Sequence, residues 1–142
     1  MIQRIQSVWL LLAALTSGAL FISPLYRYDT AGGEQLLQTT GFYPLLIIAA
    51  IMTLLPLAAI FMYKERKRQR GMVIGALFAC LGFLGVMWMK TSNIQKEIPA
   101  PTGGQYAIPG ALLPAVAIIF LMLAIRGINK DEKLVRSMDR LR

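Results

Sequence analysis

The sequence predicts an all-α integral membrane protein, an antiparallel bundle of four transmembrane helices. Both termini are expected in the cytoplasm, and an amphipathic cytoplasmic helix closes the chain. Three observations carry this. The 142 residues are 56% hydrophobic and only 15% charged, against roughly 25% charged residues in an ordinary soluble domain. The charges fall into blocks that leave four long uncharged runs, each near the length needed to cross a bilayer. The basic residues are also distributed unevenly between the two sides that such a topology creates.

The first run, residues 7–26, reads SVWLLLAALTSGALFISPLY. As a helix it would rise about 30 Å, the thickness of the hydrocarbon core. Arg4 precedes it as in a signal peptide, but the run is long for such a segment and no small-x-small site follows it. An uncleaved first span is therefore expected. Residues 27–41 read as a polar loop in which Gly32-Gly33 breaks any continuing helix. The second span covers residues 42–63, with Pro44 in its first turn, where a missing N–H costs little. Pro56 lies mid-span and is a candidate kink, because it leaves the Met52 carbonyl without its helical donor.

The charged run KERKRQR at residues 64–70 precedes a third span at residues 71–89. Residues 90–106 read as a second polar loop, broken by Pro99, Pro101 and Gly103-Gly104. The fourth span covers residues 107–125, with Pro109 in its first turn and Pro114 as a second candidate kink. This divides the chain into a membrane domain at residues 1–128 and a basic tail at residues 129–142.

Orientation follows from the lysines and arginines. Twelve lie on the side of the termini: Arg4, the five within residues 64–70 and the six from Arg126 onward. Three lie opposite, at Arg27, Lys90 and Lys96. The positive-inside rule places the twelve in the cytoplasm. Tyr26, Tyr28, Tyr43, Trp88 and Tyr106 then mark the outer interface, and Trp9 and Tyr63 the inner one. The net charge of +8 is explained by this topology and by anionic headgroups, so nucleic acid is not the expected partner.

Helices in lipid associate through close packing at small residues. Gly71, Gly75, Ala79, Gly82 and Gly85 form one stripe at spacings of 4, 4, 3 and 3, and are expected to make helix contacts within the chain or with a second copy. In the tail, Leu134, Met138 and Leu141 recur at helical spacing, while Lys133, Arg136 and Arg140 occupy another face. Together with Arg126 and Lys130 they suggest either an anchor on lipid headgroups or a docking surface for a cytoplasmic partner.

The residues name no reaction. Histidine is absent and Cys80 is the single cysteine, so histidine-held haem and an intrachain disulfide are excluded. The four spans contain no ionisable carboxylate or amine, which an ion-coupled carrier would normally bury despite a cost of about 2.5–3.5 kcal/mol. The seven acids are scattered, and no protease or phosphotransfer motif occurs. No enzyme, metal or cofactor is expected.

The two ends carry a specific resemblance. MIQRIQ followed by Leu10–Ala13, and the closing RGINKDEKLVRSMDRLR, resemble a family of small membrane proteins of Bacteroidota classed as domain of unknown function 4293. The resemblance implies four spans in the inner membrane of a Gram-negative bacterium and supplies no catalytic residues. It draws attention to both cytoplasmic ends. The resulting expectation is a non-enzymatic accessory or scaffold subunit of a larger membrane assembly, with membrane lipids and a membrane-protein partner or second copy as contacts. Two alternatives stand beside it. One is a small transporter or lipid-handling protein working between the second and fourth spans; the other is a ribosome- or RNA-docking protein.

Overall fold

The computed structural model describes residues 2–30, 32–97 and 104–139. It contains four helices and a small sheet. In chain order these are α1 (Ile2–Ala19), β1 (Pro24–Thr30), β2 (Gly33–Gln38), α2 (Tyr43–Phe61), α3 (Arg66–Glu97), β3 (Gln105–Tyr106) and α4 (Ile108–Asp139), with a 3-10 turn at Thr39–Gly41. Helices α2, α3 and α4 are long and apolar enough to cross a membrane. Helix α1 offers a shorter apolar stretch, Ile5–Ala19.

The helices form a ring in which α1 packs on α2 and α4, and α3 on α2 and α4. Each buries a stripe whose members alternate between spacings of four and three. In α1 the stripe is Gln6, Leu10, Ala13 and Ser17. In α2 it is Leu45, Ala49, Met52, Pro56 and Ala59. Helix α3 contributes Gln69, Val73, Ala76, Cys80, Phe83 and Met87. Helix α4 contributes Pro114, Ala117, Leu121, Ala124, Ile128 and Asp131. A repeat averaging 3.5 residues of this kind keeps one face, the seam, inward along the helix. Both candidate kink prolines lie on it, facing the interior.

The first span ends earlier than its hydrophobicity suggests. Helix α1 stops at Ala19, and the amides of Leu20, Phe21 and Ile22 bond three residues back in a tightened last turn. Pro24 follows; a proline disfavours helical backbone in the residue before it, and it is tolerated as the first residue of a strand. Leu25 and Tyr26 therefore enter β1, where both are fully buried.

The sheet corrects the all-α expectation and the reading of residues 27–41 as a loop. β1 pairs antiparallel with β2, from Pro24↔Gln38 to Thr30↔Gly33. Gly33 holds φ at 112°, a backbone region closed to most side chains, so Gly32-Gly33 serves a hairpin turn. β3 adds to the other edge through Tyr26↔Tyr106 and Arg27↔Gln105, giving the order β2-β1-β3.

Residues 90–106 are not one loop either. α3 continues through Lys90 to Glu97 and begins at Arg66, inside the charged run. Residues 98–103, with Pro99, Pro101 and Gly103, lie outside the described residues. Helix α4 passes without interruption from Ile108 to Asp139. The helix passes residue 128 without a break, so residues 129–139 of the basic tail continue α4.

Candidate functional site

Two polar regions close the ends of the bundle. At the end carrying the first and last helical turns, Gln6 donates its Nε2–H to Asp131 Oδ2 at 2.5 Å. Gln6 is 5% exposed and Asp131 8% exposed. The seam dictates this meeting. Gln6 stands one step before Leu10 on α1, and Asp131 one step after Ile128 on α4, so antiparallel packing brings them together across 125 residues of sequence. Gly127 makes room: a Cβ there would come 2.8 Å from Gln6 Cγ.

The other two helices join the same cluster. Arg66 donates from Nη1 to the Asp131 carbonyl at 3.2 Å, tying the start of α3 to α4. Gln69, also buried, donates to the Ala59 carbonyl at 3.1 Å. That carbonyl lies in the last turn of α2 and also accepts the Met62 amide at 3.2 Å, so the Gln69 amide is its second donor. One side-chain amide thus fastens α2 to α3 across the tight turn between them.

Around this cluster the surface is basic. Lys64, Arg66, Lys67 and Arg68 line a groove of about 650 Å³ together with Glu65, Glu132 and Val135. Arg68 pairs with Glu65 at 2.9 Å, and Arg70 reaches Glu132 at 3.8 Å. Of the tail residues singled out in the sequence, Arg126, Lys130, Lys133 and Leu134 are exposed. The side chains of Arg136 and Met138, and all of Arg140 and Leu141, lie outside what the structure describes. The apolar stripe through Leu134, Met138 and Leu141 is therefore visible only at Leu134, which is 44% exposed.

At the opposite end the sheet is locked by aromatic and hydroxyl groups. Tyr26 is fully buried; its Oη accepts from Gln95 Nε2 at 2.9 Å, and its ring meets the edge of Tyr106 at 5.2 Å. Tyr106 and Thr91 share a hydrogen bond of 3.2 Å. Thr39 donates to the Leu20 carbonyl at 2.7 Å, satisfying the frayed end of α1. A second groove of about 590 Å³ lies between the hairpin and α3, with Tyr28, Gln38, Lys90 and Glu97 in its walls. The Lys90 ammonium also sits 5.2 Å from the centre of the Phe42 ring.

The small-residue stripe of α3 takes a position other than the seam. Gly75 and Ala79 are partly buried, and a Cβ at Gly75 would touch Leu55 at 3.5 Å. Gly71, Gly82 and Gly85 face open space. Within the chain, close packing on this stripe is confined to its middle. Pro56 and Pro114 are buried on the helix seams, and Met52, Ala117 and Leu121 belong to the common core.

Sequence reading missed Gln6, Gln69 and Asp131. A signal was available: each is a polar residue in step with an apolar 4/3 repeat. Gln6 and Asp131 also fall within the two terminal stretches that carry the family resemblance, which gives those stretches a shared physical role. Among the described residues no three or more of His, Cys, Asp and Glu gather as metal ligands would. No curated protein and no solved structure matches the chain. The family model described as "Domain of unknown function (DUF4293)" matches residues 2–141, and the chain belongs to that family.

Proposed function

We propose that the chain is a four-span inner-membrane protein with both termini in the cytoplasm, and that it acts as a non-enzymatic accessory or scaffold subunit of a larger membrane assembly. The observation that carries this reading is the construction of the terminal end. Helix α4 runs unbroken from apolar span to charged tail, and the Gln6–Asp131 bond with Arg66 holds its exit rigidly against α1 and α3. Beyond that brace α4 presents Lys133 and Leu134 to solvent, a mixed basic and apolar surface on a stiff rod. Rigid presentation limits the side-chain and backbone ordering that a partner must otherwise impose on binding. The basic asymmetry supports the orientation, and the 15-residue apolar stretch Ile5–Ala19 of α1 supports a fourth, shorter span.

A mild-detergent pull-down from native membranes tests the reading. A stoichiometric membrane partner should be retained by the full chain and lost on removal of residues 133–142. This truncation spares Asp131 and Glu132, so it removes the presented surface without removing the brace. A protein purified alone, with no partner lost on truncation, would defeat the scaffold reading. A reporter fused after Arg142 that proves periplasmic would defeat the orientation.

A further inference from the structure

The short turn between α2 and α3 contains a charge arrangement that topology alone does not require. Positive-inside insertion needs basic residues on one side of the membrane and is indifferent to which helix carries them. Helix polarity is not indifferent: cations stabilise the C-terminal end of a helix and are unfavourable at its N-terminal end. Here α2 ends at Phe61 with no basic residue in its last turn. The cations are instead placed in and beside the first turn of α3, which contains Arg66, Lys67 and Arg68 and no acidic residue. They stand where the free amides of the helix already present positive charge.

The same residues line the groove of about 650 Å³ that α4 walls from the other side. Its two carboxylates are each paired with an arginine, Glu65 with Arg68 on the groove wall and Glu132 with Arg70. Among the described residues no carboxylate lies within ion-pairing distance of Lys64 or Lys67, and both lysines are exposed. Phe61 and Tyr63, 80% and 50% exposed, border the turn on the span side and offer an apolar surface at the depth of glycerol and upper acyl chain.

We infer that this groove binds the phosphate of an anionic phospholipid of the inner leaflet, with Lys64 and Lys67 as its principal charge partners. A phosphate there compensates the stacked cations and the helix end together, and it accepts hydrogen bonds that the protein leaves unused. The inference rests on the membrane orientation proposed above but not on any partner of the tail. A failed pull-down leaves it standing, while a periplasmic reporter after Arg142 would remove its ground.

The test uses the full-length protein in detergent and measures bound short-chain lipid by native mass spectrometry. Phosphatidylglycerol is compared with phosphatidylcholine and with inorganic phosphate as competitor. The expected result is preferential phosphatidylglycerol binding that falls about tenfold or more in Lys64→Gln/Lys67→Gln. Lys64→Arg/Lys67→Arg should retain it, and the equal charge removal Lys90→Gln/Lys96→Gln should change it less than about twofold. Equal binding of phosphatidylcholine, equal losses in the two glutamine pairs, or full displacement by inorganic phosphate would overturn the site as one for an anionic lipid. Thermal unfolding of each variant checks that the exposed lysines are not structural.

Discussion

The Gln6–Asp131 bond makes a quantitative prediction through a double-mutant cycle. Asp131→Ala leaves the buried Gln6 amide without its acceptor, which costs about 1–3 kcal/mol for a stranded polar group. Gln6→Ala instead strands a carboxylate that is 8% exposed, and the larger desolvation of that group sets the cost at about 2–3 kcal/mol. The double variant strands neither group. Its loss should fall short of the sum of the single losses by about 1–2 kcal/mol. Equilibrium unfolding in mixed micelles, followed by helical circular dichroism, measures all three. If the losses add to within about 0.5 kcal/mol, the two side chains do not interact and the brace at the terminal end is refuted.

Three further outcomes follow from the packing. Gly110→Ala would drive a Cβ into the Pro24 carbonyl where α4 meets β1, and should lower stability by about 1–3 kcal/mol; Gly82→Ala, pointing into open space, should stay within about 1 kcal/mol of the parent. Tyr26→Phe keeps the ring against Tyr106 but removes the acceptor of Gln95, so thermal unfolding should show a loss of about 0.5–1.5 kcal/mol, and an unchanged midpoint would dismiss that hydrogen bond. Cys80 lies fully buried on the α3 seam, so maleimide should label the folded protein on the order of a hundredfold more slowly than the detergent-denatured chain; equal rates would place Cys80 on the outer face.

Most of the helical architecture was legible in the sequence because water and hydrocarbon impose simple demands. A long run without charge has to satisfy its backbone internally, and a helix is the local way to do so. The second, third and fourth runs accordingly became α2, α3 and α4, with Pro44 and Pro109 in first turns as expected. The first run misled at its end, since LFISPLY is apolar enough for a span yet contains Pro24, and apolarity does not distinguish a helix from a buried strand. The hairpin around Gly32-Gly33 was hidden for a related reason: its residues are mainly polar, and its pairing with Tyr106 depends on a partner some eighty positions away.

Which face of each helix points inward was decided by tertiary structure alone. In a water-soluble bundle the outer face is polar and the seam can be read directly, but here lipid and protein interior are both apolar, so composition is nearly the same all round. The glycine stripe of α3 was expected to meet a helix of this chain or of a second copy; within the chain, α3 turns Val73, Cys80, Phe83 and Met87 to the core. The sequence by itself determined that the chain is mainly apolar helix with its basic charge gathered beside the helix ends. Folding decided that Gln6, Arg66, Gln69 and Asp131 would meet, because only antiparallel packing of four matched 4/3 repeats brings the two ends of the chain to one place.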